Sequence, residues 1–160
     1  MEIISKSYKD TFRLGKIIAK HLKPNDIICL SGKLGSGKTV LAKGIASGLG
    51  IEAFKVTSSS FVIVRTHLEG RLPFYHFDLY RIKEIGDILA LGYEDYLFAE
   101  GVSVIEWAER LKYLAPKDSL MVKLDYYGEA NRKIKFYASG LRYKELLKNI
   151  HEDISNRDNN

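Results

Sequence analysis

The stretch GKLGSGKT at residues 32–39 constrains the fold of this chain more than any other feature. Its frame of Gly, four residues and Gly-Lys-Thr is typical of a phosphate-binding loop, provided that a buried strand precedes it and a helix follows it. The apolar run DIICLS comes before the loop, and Leu41, Ile45 and Leu49 follow it at four-residue intervals. Because such spacing of apolar side chains indicates a helix, the sequence predicts a strand–loop–helix unit within an α/β fold.

The residue types of the loop suit the binding of nucleotide phosphates. Glycine has no Cβ, so the backbone can adopt positive φ angles, and the amides from about Gly35 to Thr39 can surround a phosphate oxygen. The first turn of the following helix adds positive partial charge. Lys38 supplies an ammonium group for the β- and γ-phosphates, and the Thr39 hydroxyl is the expected ligand of an accompanying Mg²⁺ ion.

A Mg²⁺ ion shared with a nucleotide needs a second, anionic ligand, and two acids are candidates. Asp78 ends the apolar run FYHFD, and Glu106 ends the more continuously apolar run VSVIE. A buried carboxylate needs a cation or hydrogen bonds to compensate for its desolvation. The alternative for each acid is capping of the next helix or pairing with Arg81 or Arg110. The residues favour the functional interpretation for Glu106 and leave Asp78 open.

Two aromatic side chains lie next to these acids in the sequence. Trp107, the only tryptophan, follows Glu106 and is expected to fill the core, with stacking on a base as the alternative. His76 lies two residues before Asp78 in a β-rich stretch, so it is expected to be a buried packing residue rather than a base.

The motifs that the chain lacks favour ATP as the nucleotide. Guanine-specific proteins carry an Asn/Thr-Lys-x-Asp element, which does not occur in this sequence. Small-molecule kinases usually present an arginine-rich lid over the phosphates, whereas residues 82–109 contain no arginine. A kinase therefore remains the weaker alternative.

Length and composition predict one domain. The chain has 160 residues, and we expect a single domain over residues 1–154 with a disordered tail, SNRDNN, over residues 155–160. No apolar stretch approaches the roughly 20 residues that span a bilayer, and the N-terminus has no targeting pattern. These features predict a cytoplasmic protein without membrane contact. The single cysteine, Cys29, is expected to be a small buried hydrophobe.

Charge is distributed unevenly along the chain, although its net value is only +5. Residues 1–60 hold ten Lys and Arg against four Asp and Glu, whereas residues 84–109 hold seven acids and no Lys or Arg. Most of these side chains are expected to be solvated. The basic excess also suits phosphates, and the acidic block suits Mg²⁺ and a protein partner.

Periodicity predicts the remaining elements. A first helix is expected from the cap Ser7 to about His21, and a last helix over residues 141–150. Short helical pieces are expected over residues 85–89 and 93–98. Hairpins are predicted on both sides of LEGR and of YGEAN, because alternating or β-rich runs flank each turn signal.

The motifs, taken in order, resemble the TsaE family of bacterial ATPases, also called YjeE, of tRNA threonylcarbamoyladenosine biosynthesis. The blocks that carry this resemblance are TFRLG, LSGKLGSGKTVLAKGIASGLGI, VTSSSF, YHFDLYRI, LGYEDYL and VIEWAERL. Each short block alone is weak evidence. Their order over most of the chain is specific.

The resemblance implies a three-layer α/β P-loop fold with a mostly parallel central sheet and added antiparallel hairpins. It implies a cytoplasmic protein that hydrolyses ATP slowly and acts with the TsaB–TsaD pair, meeting tRNA only through that complex. Hydrolysis would reset the complex that modifies the adenosine beside the anticodon. By the same resemblance, Val56–Phe61 is a switch-like loop.

The site residues that the resemblance implies combine with those of the loop. Lys38, Asp78 and Glu106 would be catalytic, and Thr39 and Glu106 would hold Mg²⁺. The nucleotide would contact Thr11, Gly35, Ser36, Gly37, Lys38, Thr39, Val40 and Arg132. Thr11 would lie on the adenine side.

Three positions depart from the family pattern. Lys33, Ser59 and Ala108 stand where the family usually has Asp, Pro and Pro. The first reverses a charge beside the phosphates, and the second removes a restraint on φ in the switch-like loop. Besides the kinase, a nucleotide-sensing scaffold without useful turnover is the other alternative function.

Overall fold

A computed structural model of the chain describes residues 1–58 and 63–158. Its helices and strands follow in the order β1 Glu2–Ser5, α1 Tyr8–Lys20, β2 Ile27–Ser31, α2 Lys38–Gly48, β3 Val64–His67, β4 Phe74–Asp78, α3 Ile85–Ala90, α4 Tyr93–Leu97, β5 Val102–Glu106, β6 Ser119–Tyr127, β7 Asn131–Ser139 and α5 Leu141–Asp158. Short 3-10 segments cover Ala53–Lys55 and Ala108–Leu114.

The strands of the described residues form one sheet in the order β1-β7-β6-β2-β5-β4-β3. Strands β6, β2, β5 and β4 are parallel to their neighbours in this central part. Strands β3, β7 and β1 add antiparallel pairs at the two sides. The mixed α/β fold, its parallel core and both predicted hairpins are therefore confirmed.

The first four residues of β2, IICL, are apolar and buried, as is usual for a strand of a parallel sheet with both faces covered. Ile28 and Leu30 belong to a cluster with apolar residues of α1, α2 and α5. Ile27 and Cys29 belong to a second cluster with residues of α3 and α4. Cys29 is buried as expected, and burial raises the pKa of its thiol to about 11.

Helices α1 and α2 are in close contact through glycines. A Cβ at Gly15 would lie 2.5 Å from the Leu41 carbonyl oxygen, and one at Gly44 would collide with the carbonyl oxygen of Phe12. The side chain of Ser7 accepts a hydrogen bond from the Asp10 amide and caps α1, as predicted. The close approach at Gly15 and Gly44 fixes α1 beside α2, the helix that follows the glycine-rich loop.

The C-terminal helix corrects the sequence-based boundaries. Helix α5 continues to Asp158, so residues 155–158 are helical rather than disordered, and the boundary expected after residue 154 falls inside the helix. Ile154 extends the apolar spacing of Leu146 and Ile150 and packs against the core, and Asp153 accepts a hydrogen bond from Lys20 at 3.2 Å. These contacts explain the extra turns. Residues 159 and 160 lie outside the described part.

Strand β1 was not predicted from the sequence. Its four residues pair antiparallel with β7 at one side of the sheet.

No helix within the described ranges is both long and apolar enough to cross a membrane.

We predict that Gly44→Ala lowers the free energy of unfolding by about 1–3 kcal/mol, because the added methyl group forces α1 and α2 apart. Gly86→Ala is the matched control, since a Cβ at Gly86 meets no atom within 4 Å. It should stabilise α3 by up to about 1 kcal/mol. Urea denaturation monitored by circular dichroism measures both changes. Equal effects of the two variants would contradict the close helix contact.

Candidate functional site

The glycine-rich loop joins the end of β2 to the start of α2, as the motif requires. Gly32, Gly35 and Gly37 have φ angles of 141°, 74° and 104°. These angles lie in the region that residues with a Cβ rarely adopt. A Cβ at Gly32 would also collide with the Leu124 carbonyl oxygen. The glycines thus permit a loop whose last residue, Gly37, precedes the first turn of α2.

Lys38 is buried, with 4% of its surface exposed, and its ammonium group points back into the loop. Its Nζ donates hydrogen bonds to the carbonyl oxygens of Gly32 at 2.7 Å and Lys33 at 2.9 Å. Burial lowers the pKa of Lys38, while the charges of Glu106, Glu109 and Asp78 oppose that shift. The Lys38 ammonium group is therefore held inside the loop by two backbone carbonyl oxygens.

Trp107 packs against the core, as expected, but it also faces the glycine-rich loop. It is half-buried, and its φ of 60° and ψ of 40° turn the chain directly after Glu106. The Lys38 ammonium lies 3.9 Å from its ring centroid, close enough for a cation–π interaction. The Tyr80 ring also packs against the Trp107 ring, with 5.0 Å between the two ring centroids. Trp107 is thus a wall of the candidate site.

The two predicted acids lie side by side at the carboxyl ends of β4 and β5. Asp78 and Glu106 are register partners in this parallel pair, so both carboxylates reach the edge of the sheet where the loop lies. Ligands of open α/β sheets bind outside the carboxyl ends of the strands. The spacing-based candidates are therefore brought together at one edge.

Glu106 is buried and makes two side-chain hydrogen bonds. Its Oε2 accepts from the Thr39 hydroxyl at 2.8 Å, and its Oε1 lies 2.8 Å from Nε2 of His76. Since an ionised carboxylate only accepts hydrogen bonds, an ionised Glu106 accepts from Nε2 of His76 in this contact. His76 is buried, as expected, but it also orients Glu106, which the sequence did not reveal. The contact depends on the register in which β4 pairs with β5, which the sequence alone does not specify.

Asp78 is held by different partners. Its Oδ2 accepts a hydrogen bond from the Ser58 hydroxyl at 2.6 Å, and its Oδ1 accepts from the Tyr80 amide at 3.1 Å. Ser58 belongs to the predicted switch-like stretch Val56–Phe61, of which residues 59–61, including Ser59, lie outside the described part. Arg110, one alternative partner of the acids, donates instead to the Ile82 carbonyl oxygen.

A small cavity of about 180 Å³ lies between the loop and Glu106, and Asp78 is not among its wall residues. Its walls include the predicted residues Gly35, Gly37, Lys38, Thr39, Val40 and Glu106, together with Leu34, Ser58 and Trp107. Ser36 lies beneath, fully buried, and its hydroxyl has no hydrogen-bond partner among the described residues. The cavity therefore combines amides, a cation, a hydroxyl and a carboxylate at the start of α2.

Thr11 and Arg132 lie beside the loop rather than in the cavity wall. Thr11 is buried, and its hydroxyl is 2.7 Å from the Ser5 hydroxyl. Arg132 donates to the Gly35 carbonyl oxygen at 3.4 Å, and its guanidinium lies 4.5 Å from the ring centroid of Tyr126. The Tyr126 hydroxyl in turn donates to the Leu34 carbonyl oxygen at 2.7 Å. Tyr126, which the sequence did not single out, thus braces the loop.

The departures from the family pattern occupy different surroundings. Lys33 is exposed at the loop, and its backbone carbonyl accepts the bond from Lys38. Ala108 is buried in the cluster formed with α3 and α4. The extra charge of Lys33 is therefore directed at solvent beside the site.

The donor set at Thr39 and Glu106 fits a Mg²⁺ ion chemically. Both atoms are oxygens, the ligand type that Mg²⁺ prefers, and one or two protein ligands suffice when phosphates supply the others. No cluster of three or more His, Cys, Asp or Glu residues suited to a metal occurs in the part of the chain that the structure describes.

These features define an α/β protein with a phosphate-binding loop and paired acids at the carboxyl edge of its sheet. A family model described as "Threonylcarbamoyl adenosine biosynthesis protein TsaE" matches residues 5–134. The chain therefore belongs to the TsaE family of tRNA threonylcarbamoyladenosine biosynthesis, which confirms the resemblance seen in the sequence.

Curated relatives and a solved structure agree with this assignment. The TsaE protein of Bacillus subtilis is 37% identical over 150 residues, which cover 92% of this chain and 93% of the relative. The TsaE protein of Haemophilus influenzae is 32% identical, covering 98% and 100%. The crystal structure of Bacillus subtilis YdiB superposes with a TM-score of 0.82 at 32% identity, covering 96% and 95% of the two chains.

We predict that His76→Leu lowers the free energy of unfolding by about 1–3 kcal/mol, because Glu106 would lose a buried hydrogen-bond partner. His151→Leu is the control, since His151 is exposed on α5. The same His76 substitution should cost at least about 0.5 kcal/mol less in a Glu106→Gln background, since the two residues interact directly. Urea denaturation of the four proteins of the cycle measures this difference, and strictly additive effects would contradict the contact.

Proposed function

We propose that this chain is a Mg²⁺-dependent ATP hydrolase whose turnover is slow alone and regulated by partners. The observation that supports this most strongly is the 2.8 Å hydrogen bond between the Thr39 hydroxyl and Glu106 inside a cavity walled by the phosphate-binding loop. A loop hydroxyl beside a strand-end carboxylate is the ligand pair that P-loop hydrolases use for Mg²⁺. The proposal includes a three-layer P-loop NTPase architecture.

The loop and Lys38 would bind the phosphates. Amides from Gly35 to Thr39 and the start of α2 supply partial positive charge to the β-phosphate. Lys38 would exchange its bonds to the Gly32 and Lys33 carbonyl oxygens for bonds to the β- and γ-phosphates. The buried ammonium group would thereby exchange neutral carbonyl partners for negatively charged phosphate oxygens. Thr11, which is bonded to Ser5, and Arg132, which donates to the Gly35 carbonyl oxygen, are proposed as further contacts of the nucleotide, with Thr11 on the adenine side.

Thr39 and Glu106 would hold Mg²⁺, which neutralises negative charge on the phosphates during transfer. His76 keeps the Glu106 carboxylate in place, because its Nε2 occupies the other carboxylate oxygen. Glu106 is therefore pre-positioned before nucleotide binds.

Asp78 is the acid that we assign to the attacking water. Each Asp78 oxygen accepts one hydrogen bond, from the Ser58 hydroxyl and from the Tyr80 amide, whereas Glu106 is already assigned to Mg²⁺. Water would attack the γ-phosphorus and the bond to the β–γ bridging oxygen would break, giving ADP and phosphate, with the released proton passing to solvent through Asp78. Movement of Ser58 would then couple the switch-like stretch to the reaction.

The partners that we propose are TsaB and TsaD, with hydrolysis resetting the complex that modifies tRNA in the cytoplasm. Membership of the TsaE family supports this placement. The acidic stretch from Glu84 to Glu100 includes exposed Asp87 and Asp95, and is the proposed partner surface.

We predict that Glu106→Gln lowers ATP hydrolysis by about 100-fold or more, because the Mg²⁺ ligand loses its charge. With TsaB, TsaD, tRNA and threonylcarbamoyl-adenylate, the same variant should stop modification after the first turnovers. The control is Glu109→Gln, which removes the same charge from an exposed neighbour. Labelled phosphate release and modified adenosine are measured together. Full multiple-turnover modification by Glu106→Gln would instead support a scaffold without useful turnover.

We predict that ATP changes the fluorescence of Trp107, the only tryptophan, because nucleotide binding withdraws the Lys38 ammonium from its ring. Lys38→Met should show altered emission without nucleotide and no further change on adding ATP. Lys43→Met, on the same helix, is the control and should behave as the unmodified protein does. A fluorescence titration tests this, and an unchanged ATP response in Lys38→Met would contradict the assigned role of the lysine.

A further inference from the structure

In place of the purely indirect contact with tRNA that the family resemblance implies, we propose that the seam between α1 and α2 is a direct binding surface for RNA, separate from the nucleotide site. A groove of about 550 Å³ runs along this seam and shares no wall residue with the smaller cavity at the loop. Family membership in tRNA modification, rather than ATP hydrolysis, is the background on which this proposal rests.

The groove is lined by four cations of α1 and by no acid. Lys9, Arg13, Lys16 and Lys20 follow one another at intervals of four, three and four residues, so they occupy one face of the helix. Like charges at these intervals destabilise an isolated helix. The four cations cover about 16 Å of the length of α1, which suits the phosphates of a short stretch of RNA strand.

Three of these cations are available to a ligand. Lys20 pairs with Asp153 at 3.2 Å. Within residues 1–58 and 63–158, Lys9, Arg13 and Lys16 are exposed and make no ion pair or side-chain hydrogen bond. Part of the Lys and Arg excess of residues 1–60 therefore forms an exposed, positively charged surface. Such a surface favours a polyanion through counterion release.

An aromatic pair at the head of the groove favours RNA over an acidic polypeptide. The Tyr8 and Phe12 rings are stacked, with centroids 6.2 Å apart and planes inclined by 15°. Tyr8 is 58% exposed, so its ring can receive a base while the adjacent cations contact phosphates. Exposed aromatic rings beside a basic track are the usual means of binding single-stranded nucleic acid.

The test measures binding of a fluorescein-labelled, unmodified tRNA transcript to the full chain over a range of salt concentrations. We predict that Lys9→Gln/Arg13→Gln/Lys16→Gln weakens binding about tenfold or more and reduces the slope of log affinity against log salt by about 2. The matched control is Lys83→Gln/Lys117→Gln/Lys144→Gln, which removes the same charge from exposed positions elsewhere. ATP binding should be unchanged in both triple variants.

A second pair of variants separates stacking from charge. Tyr8→Ala should weaken binding about fivefold or more, whereas Tyr8→Phe should retain it. Competition with polyglutamate distinguishes RNA from an acidic protein segment. Equal losses in the two triple variants, no loss with Tyr8→Ala, displacement by polyglutamate as effective as by unlabelled tRNA, or absence of RNA binding would each overturn the proposal.

Discussion

The buried carboxylate of Glu106 is the group on which the rest of the site depends. It lies at the end of a strand buried on both faces, between the Thr39 hydroxyl of α2 and the imidazole of His76 on β4. These two contacts tie the first turn after the phosphate-binding loop to the parallel core of the sheet. Because burial makes an unpaired carboxylate costly, the hydrogen bonds hold three elements in one arrangement before any ligand is present.

The surroundings of the loop extend this arrangement in two directions. Trp107 follows Glu106 and places its ring against Lys38, whereas Tyr126 and Arg132 reach the loop carbonyls from the antiparallel hairpin. The hairpin therefore supports a loop that belongs to the parallel core. On the far side, the glycine contact of α1 with α2 leaves a basic helix face exposed along the same helix pair.

Local signals explain which parts of this structure the sequence predicted. The loop, its flanking strand and helix, and both hairpins depend on short-range spacing, and all are present. Asp78 and Glu106 were found because each ends an apolar run. The partnership of His76 with Glu106 depends on the register of two strands far apart in sequence, so spacing alone could not give it. Strand β1 and the last turns of α5 depend on packing against β7 and the core.

We propose that Thr39 and Glu106 hold a Mg²⁺ ion that binds together with ATP. Isothermal titration calorimetry of ATP, with Mg²⁺ and with a chelator, tests it most directly when the protein is compared with its Thr39→Val variant. We predict that Mg²⁺ strengthens ATP binding to the unmodified protein and has little effect on ATP binding to the variant. An equal effect of Mg²⁺ on both proteins would contradict it.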